Sequence, residues 1–316
     1  MRVLVTGGAG FIGSNFVRRS IQTRHGIAIT VLDSLTYAGS LQNLEGVLCK
    51  IKFVHGDVTN RELVDQLVSD SDLVVHFAAE SHNDNSLIDA RPFLDSNVGG
   101  TFELVQACAK YDVRFHHVST DEVFGDLALD SKERFTEESP YNPSSPYSAT
   151  KAAADMLVKA WIRSFGLRAT ISNCSNNYGP FQHAEKFIPR TILLATRGMR
   201  PKIFGAGLNI RDWIHVDDHV EGIWAVLDNG RLGETYLLGS HGERTNLHVA
   251  REILKELGLS ESFLEFVQDR PGHDLRYAID PTKAERQLGW KPQHHAFEEG
   301  LKPVIAHFLQ ISKISD

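Results

Sequence analysis

The sequence predicts an α/β fold, with a doubly wound parallel sheet and a smaller, mixed α/β second domain. Two observations support this prediction. Short apolar runs alternate with helical patterns through the first half of the chain, and a glycine-rich turn joins the first run to the first helix. Strands that alternate with helices form right-handed βαβ units, which assemble into a parallel sheet with helices on both faces.

The composition is typical of a globular protein with a large core. Of the 316 residues, 42% are hydrophobic and 23% are charged, which excludes a disordered chain. A net charge of −7 argues against non-specific binding to nucleic acid. No apolar run is long enough to span a membrane. The three cysteines are widely spaced and the N-terminus does not resemble a signal peptide, so we expect a cytoplasmic protein.

The predicted elements follow the spacing of the apolar residues. Strands are predicted at Arg2–Thr6, Ile27–Leu32, Lys52–His55, Leu73–Phe77, Val113–Val118, Arg168–Cys174 and Glu234–Leu238. Helices are predicted at Gly13–Arg24, Asn60–Val68, Leu94–Lys110, Tyr147–Phe165, Phe187–Arg197, Asp217–Leu227, Leu247–Leu257 and Ala296–Leu309. Loops are predicted at Asn176–Gln182, Gly205–Arg211 and Asp269–Asp274, where glycine and polar residues interrupt the pattern.

The turn after the first strand has the spacing of a dinucleotide-binding loop. Gly7, Gly10 and Gly13 allow the backbone to approach a pyrophosphate, and the helix that follows offers its N–H groups. Asp33 ends the next predicted strand, where a carboxylate accepts the ribose hydroxyls and repels a 2′-phosphate. This combination predicts a Rossmann-like site for NAD rather than NADP. Asp57 follows the third predicted strand, where it either meets the adenine or caps the next helix.

Tyr147 and Lys151 are four residues apart on the helix that precedes the predicted strand at Arg168–Cys174, so they share one face. A lysine ammonium beside a phenol favours the phenolate and lowers the pKa of the tyrosine. The phenolate can then take a proton from a sugar hydroxyl while hydride leaves the same carbon. We therefore predict that this pair is catalytic, although the same spacing also occurs on surface helices.

Thr120, Asp121 and Glu122 follow the strand at Val113–Val118, and active sites of such sheets lie beyond the carboxyl ends of the strands. Thr120 could hydrogen-bond the hydroxyl that is oxidised. One protonated and one ionised carboxyl group are typical of acid and base catalysis. Acidic residues in the first turn of a helix are an equally good interpretation of the spacing. The fifteen histidines show no spacing typical of metal ligands, so no metal site is predicted.

The sequence resembles the extended short-chain dehydrogenase/reductases and, within them, the dTDP-glucose 4,6-dehydratases. The resemblance covers residues 1 to about 300 and rests on the stretches TGGAGFIGSNF, LDSLTYAG, HFAAESH, STDEVFGD, NPSSPYSATKAAAD, NCSNNYGPFQ, EKFIP, GAGLNIRDWIHVDDH and DRPGHDLRYAIDPTK. The chain departs from the family pattern at Asn83, where valine is usual, and at Phe124, where tyrosine is usual.

The resemblance implies a three-stage reaction with dTDP-glucose as substrate and NAD as cofactor. Tyr147 takes the O4 proton while hydride passes from C4 to NAD. Glu122 then removes the C5 proton, and Asp121 protonates the departing C6 hydroxyl. The hydride finally returns to C6 and Glu122 reprotonates C5. The product is a 4-keto-6-deoxy sugar nucleotide, as in the synthesis of rhamnose-type deoxysugars.

The pattern of elements divides the chain near Ser175 into a nucleotide domain and a smaller, loop-rich second domain, and the resemblance assigns residues to the two ligands. Residues 1–175 correspond to an NAD-binding Rossmann domain, to which the chain returns around residues 212–240, and residues 176–316 correspond mainly to a sugar-nucleotide-binding domain. The cofactor positions are Gly7, Gly10, Phe11, Ile12, Gly13, Asp33, Ser34, Leu35, Thr36, Asp57, Val58, Phe77, Ala78, Ala79, Ser96, Tyr147, Lys151 and Asn177. The substrate positions are Ser81, Thr120, Asn176, Lys186, Phe187, Lys202, Ile203, Phe204, Arg211, Asn246, Arg270 and His273.

Some of these positions also have a purely structural interpretation. Lys186 and Arg211 either bind a diphosphate or form surface salt bridges. Asn176 and Asn177 either bind ligands or form a turn, and His273 either binds substrate or caps a loop.

Three alternatives to the dehydratase function are open from the sequence. The chain could be a 4-epimerase or a decarboxylase of the same fold, or a non-catalytic NAD-binding scaffold. The resemblance further implies a homodimer, joined through the helices predicted at Leu94–Lys110 and Tyr147–Phe165 as a four-helix bundle.

Overall fold

Twelve strands are found in the computed structural model, which describes residues 1–269, 273–294 and 296–314. They are β1 (Arg2–Thr6), β2 (Ala28–Asp33), β3 (Lys52–His55), β4 (Leu73–His76), β5 (Arg114–Thr120), β6 (Ala169–Cys174), β7 (Asn176–Tyr178), β8 (Lys202–Phe204), β9 (Ile210–His215), β10 (Thr235–Leu238), β11 (Glu243–Thr245) and β12 (Glu265–Val267). Seven of them form a parallel sheet in the order β10-β6-β5-β4-β1-β2-β3. The strand order reverses beside β1, which confirms the predicted doubly wound fold.

The helices cover both faces of this sheet and build the smaller part of the protein. They are α1 (Phe11–Thr23), α2 (Arg61–Ser69), α3 (Asn83–Ile88), α4 (Arg91–Phe93), α5 (Thr101–Tyr111), α6 (Pro146–Phe165), α7 (Phe187–Thr196), α8 (Val216–Asn229), α9 (Asn246–Glu256), α10 (Thr282–Leu288) and α11 (Phe297–Ile314). Among the described residues, no helix combines the length and the apolar character that a membrane span requires.

Separate apolar cores lie on the two faces of the large sheet. On one face α1 and α8 pack together, and the rings of Phe16 and Trp224 stack with their centroids 5.2 Å apart. On the other face α2, α5 and α6 cover the sheet around Leu104, Phe115 and Val158. Another core lies among α7, α9 and α11. The large sheet is thereby held from both sides, and a cavity lies near the carboxyl ends of its strands.

The structure differs from the sequence-based prediction in the second half of the chain. Asn176–Tyr178, predicted to be a loop, forms β7, and the predicted loop Gly205–Arg211 ends inside β9. Together with β11 these strands form a second, three-stranded sheet in the order β11-β9-β7. β7 and β11 have only three residues each and pair with a strand distant in sequence, so local periodicity does not reveal them.

Two further predictions concern a helix beside the large sheet and a strand within it. The helix predicted at Leu94–Lys110 begins with a π-helical segment at Leu94–Gly100 before α5. The strand β10 pairs in parallel with β6, so residues 235–238 belong to the large sheet. The division into two domains at residue 175 stays a prediction.

Candidate active site

Two adjoining cavities lie near the carboxyl ends of the parallel strands. The first cavity is lined by the glycine loop, by the ends of β2 and β5 and by the start of α6. The second cavity extends to the residues around β8 and β9. Both are lined by Glu122, Asn176, Asn177 and Lys186, so they form one continuous cleft.

The glycine loop forms a close-fitting cradle at the first cavity. Gly7 has a φ of +69°, and a Cβ atom on this residue would lie 2.5 Å from the nitrogen of Ala78. A Cβ atom on Gly13 would lie 2.2 Å from the carbonyl oxygen of Gly7. The helix α1 begins at Phe11 with no side-chain cap and no acidic residue in its first turn. Its first N–H groups are therefore available to an anion such as a pyrophosphate.

Asp33 ends β2 at the edge of the same cavity and is only 8% exposed. Its Oδ2 accepts from the backbone N–H of Ala9 at 2.8 Å, and its Oδ1 accepts from that of Leu35 at 2.9 Å. Burial raises the pKa of this carboxyl group, while the two backbone donors oppose the rise. Asp33 is thus held where it can accept ribose hydroxyls.

Asp57 does not cap the helix that follows it. The N-cap of α2 is Asn60, whose side chain accepts from the N–H of Leu63 at 3.1 Å. Asp57 instead accepts from the N–H and the hydroxyl of Thr59, both at 2.8 Å, and lines the first cavity. The capping alternative is therefore wrong, and the adenine contact stays a prediction.

Tyr147 and Lys151 lie one turn apart on α6 and line the first cavity, where they are 8% and 4% exposed. Lys151 Nζ donates to the carbonyl of Val118 at 2.9 Å, and burial lowers the pKa of this ammonium. The pKa of Tyr147 is raised, first by burial and then by the charge of Glu122. This direction is opposite to our expectation, because burial of the phenol and the nearby charge of Glu122 both disfavour the phenolate.

Thr120, Asp121 and Glu122 join the end of β5 to a single 3-10 turn, Asp121–Phe124. Asp121 is 1% exposed, and its pKa lies well above the ordinary value because of burial and the neighbouring Glu122. Its Oδ1 accepts from the Thr120 hydroxyl at 3.3 Å, whereas its Oδ2 has no partner among the described residues. Burial thus favours the neutral, protonated form of Asp121 at the cleft, beside the less buried Glu122.

Most of the predicted substrate positions line the second cavity. Lys186 Nζ donates to the carbonyl of Ser81 at 2.8 Å, and burial lowers its pKa. Arg211 is only 9% exposed, donates to the carbonyls of Ile210 and Asp274 at 2.8 and 3.0 Å, and pairs with no carboxylate in the described part of the chain. The surface salt bridge considered for Arg211 is therefore wrong, and its charge is available to an anion.

The structure brings most of the predicted residues together. Every predicted cofactor position lines the first cavity except Leu35, which instead supports Asp33 through its backbone. The substrate positions Ser81 and Thr120 line the first cavity, Asn176 and Lys186 line both, and Phe187, Lys202, Ile203, Phe204, Arg211, Asn246 and His273 line the second. Arg270 lies outside the described residues.

Several residues at the cleft were missed by the sequence analysis. Cys174 ends β6 just as Thr120 ends β5, so the rule that sites lie at strand ends could have found it. Asn83 and Tyr277 line the second cavity, and no local pattern singles out Tyr277. His215, Asp217 and His294 place three potential metal ligands within 4.8 Å, but the two imidazoles stack on each other at 4.0 Å and we assign no ion to them.

The chain is similar over nearly its whole length to proteins of known activity. Residues 4–304 match a family model described as GDP-mannose 4,6 dehydratase. Over 305 residues the chain is 59% identical to the dTDP-glucose 4,6-dehydratase of Mycolicibacterium smegmatis, covering 96% of this chain and 92% of that protein.

Solved structures agree with this similarity. The dTDP-glucose 4,6-dehydratase of Streptomyces venezuelae, solved with NAD and dTDP bound, gives a TM-score of 0.95 at 44% identity and covers 98% of this chain and 97% of its own. A UDP-glucose 4-epimerase of Thermotoga maritima, solved with UDP-glucose, gives 0.91 at 28% identity and covers 99% of this chain and 100% of its own.

Proposed function

Because the chain belongs to the GDP-mannose 4,6 dehydratase family and, within it, to the dTDP-glucose 4,6-dehydratases, we propose that it converts dTDP-glucose into dTDP-4-keto-6-deoxyglucose. One observation in the structure carries the proposal. Two neighbouring carboxyl groups, the fully buried Asp121 and the less buried Glu122, lie in the same cleft as Tyr147 and Lys151. Oxidation of a sugar hydroxyl needs only the second pair, whereas loss of water also needs an acid and a base.

The first cavity fits NAD. The glycine loop, where a Cβ atom on Gly7 or Gly13 would collide with neighbouring backbone, and the open start of α1 would hold the pyrophosphate, and Asp33 would hold the adenosine ribose. When bound, NAD supplies a hydride acceptor that later becomes the hydride donor. The proposal agrees with the NAD that is bound in the structures of the relatives.

The chain's own residues handle the protons of the reaction. The ionised form of Tyr147 takes the O4 proton. Burial raises the pKa of this phenol, so its own proton must first leave to solvent, and the positive charges of Lys151 and of a bound nicotinamide would favour that loss. Glu122 then removes the C5 proton, which the C4 ketone has made acidic. Asp121, kept protonated by burial, gives its proton to the departing C6 oxygen, and water leaves.

Cations in the second cavity support a nucleotide-sugar substrate. Lys186 and Arg211 are both held by backbone carbonyls with their charges at the cleft, which suits a diphosphate. The sugar would then lie between them and Tyr147, near the residues that line both cavities. We place the reaction in the synthesis of deoxysugars of the rhamnose type.

We also propose that the protein is a homodimer. α5 packs beside α6, and large apolar side chains on the two helices are exposed, among them Phe102 at 37%, Met156 at 58% and Phe165 at 65%. A second copy of the chain would bury this surface. Light scattering at micromolar concentration should give about twice the chain mass of 35.2 kDa, and a mass near that of one chain would contradict the dimer.

Incubation with dTDP-glucose and with UDP-glucose, followed by mass spectrometry, tests the activity. We expect a product one water lighter than dTDP-glucose and slower loss of water from UDP-glucose. Epimerisation would leave the mass unchanged, and decarboxylation needs a carboxylated sugar. An unchanged mass would therefore contradict the proposal, and a protein that binds NAD but turns over neither sugar would be a scaffold.

A further inference from the structure

Asn83 is the first residue of α3, and it lines the second cavity. Its side-chain Nδ2 donates a hydrogen bond to Glu122 Oε2 at 3.3 Å. The start of this helix is itself fixed, because the carbonyl of Asn83 accepts from the Ser86 hydroxyl at 2.6 Å and His82 caps the helix. A side-chain amide is therefore presented to Glu122 from a separate element of the fold.

We infer that Asn83 is a positioning residue that orients the Glu122 carboxylate for removal of the C5 proton. The inference rests on the proposed function, which makes Glu122 the base. A donor on one carboxylate oxygen fixes the plane of the group and favours its charged form, which is the form that accepts a proton. In the step itself the C5–H bond breaks, the proton goes to Glu122 and the electron pair passes into the enolate of the C4 ketone.

The other groups around Glu122 explain why a neutral donor suits this position. The charge of Glu122 acts on the titratable groups of four nearby residues. These are Asp121 on the same turn, Tyr147 on α6, Lys186 before α7 and Tyr277 near β9. The Lys186 ammonium already attracts the carboxylate. A second cation would weaken Glu122 as a base, whereas an amide orients it with a smaller effect on its basicity.

Replacement of Asn83 by Asp tests the inference with almost no change of shape. The N83D variant replaces the donor by a second carboxylate, and an acidic residue at the start of α3 is compatible with the helix dipole. The N83L variant keeps a similar volume but removes the donor. The matched control is Asn85→Asp, which makes the same change at an exposed position of α3.

Two rates distinguish positioning from general damage to the site. With C5-deuterated dTDP-glucose, loss of deuterium measures the base step, and NADH absorbance in a single turnover measures the earlier oxidation. In N83D we expect deuterium loss to slow about tenfold or more at neutral pH, since a charge-assisted hydrogen bond is worth at least that factor. The pH dependence of deuterium loss in N83D should also move to higher pH, while the rate of NADH formation stays within about twofold of the parent rate.

N83L should slow deuterium loss less than N83D, and N85D should match the parent. The inference is wrong if N83L loses deuterium at the parent rate at every pH, or if NADH formation slows as much as deuterium loss. A slow N83D beside an unimpaired N83L would show only the repulsion between two carboxylates, and would also contradict the inference. A parent protein that loses no C5 deuterium would overturn the proposed function itself, and this inference with it.

Discussion

Asp121 and Glu122 are adjacent in sequence, but the fold gives their carboxyl groups different surroundings. Asp121 is almost fully buried, and burial together with the charge of Glu122 raises the pKa of its carboxyl group. Glu122 is less buried and accepts from Asn83. Two neighbouring carboxyl groups can serve as acid and base only when their environments separate their pKa values.

The separate roles of the two groups can be tested by substitution. Asp121→Asn should slow the loss of water and Glu122→Gln should slow the removal of the C5 proton, each by about 10²–10⁴-fold, because a positioned acid or base contributes that much. Both variants should still form NADH in a single turnover. Tyr147→Phe should fail at this first step. If Asp121→Asn loses water at the parent rate, the pair is merely acidic residues in the first turn of a helix.

Asp33 should decide the choice of cofactor. Its carboxylate is fixed by the N–H groups of Ala9 and Leu35 and would lie against any 2′-phosphate. We expect NAD to restore activity to cofactor-free protein at least about tenfold better than NADP, a difference of about 1.4 kcal/mol. Asp33→Ser should narrow that ratio by weakening the use of NAD. Equal activation of the parent by both cofactors would contradict the assignment.

At the scale of the element, α6 fixes the geometry of the catalytic pair. Ser145 caps the helix through a capping box with Ser148, and Tyr147 lies in the first turn that this box holds. One turn beyond Lys151, the buried Asp155 accepts from Tyr141 at 2.9 Å and from Asn173 at 3.1 Å. The helix is thus held at its start and along its buried face.

Loss of the cap should therefore affect stability and turnover together. Ser145→Ala should lower the free energy of unfolding by about 1 kcal/mol, as for other N-cap serines. It should also slow NADH formation, because fraying of the first turn displaces the phenol of Tyr147. The control is Ser260→Ala, which removes the cap of the short turn Glu261–Phe263, away from the cleft. Urea unfolding and single-turnover absorbance measure both effects, and equal losses in the two variants would contradict this account.

At the scale of the whole molecule, buried histidines make the fold sensitive to acid. Burial lowers the pKa of His117 and of His215 to about 4 and that of His219 to about 3, and it lowers those of His76 and His116 well below the ordinary value. In the unfolded chain these histidines bind protons near pH 6.5, whereas in the folded protein they bind them only at lower pH. Acid therefore favours unfolding. Stability should therefore fall as the pH drops from about 6.5 toward 4.

Three of the buried carboxyl groups act in the opposite direction. The pKa values of Asp33, Asp121 and Asp212 are raised by burial, so these groups favour the folded state in acid. We expect the histidines to dominate because more of them are buried. The urea midpoint should be lower at pH 5 than at pH 7. His116→Gln should reduce that difference, because it removes one buried imidazole whose pKa is lowered. His116 contacts Thr170 and Ser172 rather than the cleft, so the variant tests stability apart from the active site. A midpoint that is equal or higher at pH 5 would refute this prediction.

The sequence by itself determined the features that depend on near neighbours in the chain. The glycine loop, Asp33 at the end of the second strand and the four-residue spacing of Tyr147 and Lys151 are all read within one βα unit or one helix turn. The periods of strands and helices also fixed the class of the fold, since alternating elements have few ways to pack. The resemblance to the dehydratases was carried by these motifs together with other local stretches along the chain, among them STDEVFGD and DRPGHDLRYAIDPTK.

The tertiary structure decided what depends on contacts through space. It made β7 and β9 strands by pairing them across the chain, and it reversed the expected direction of the pKa of Tyr147 by burying the phenol beside Glu122. It also brought Asn83 to Glu122, 39 residues away in sequence. Burial and charge act between side chains wherever the fold places them, whereas a sequence pattern records only separations along the chain.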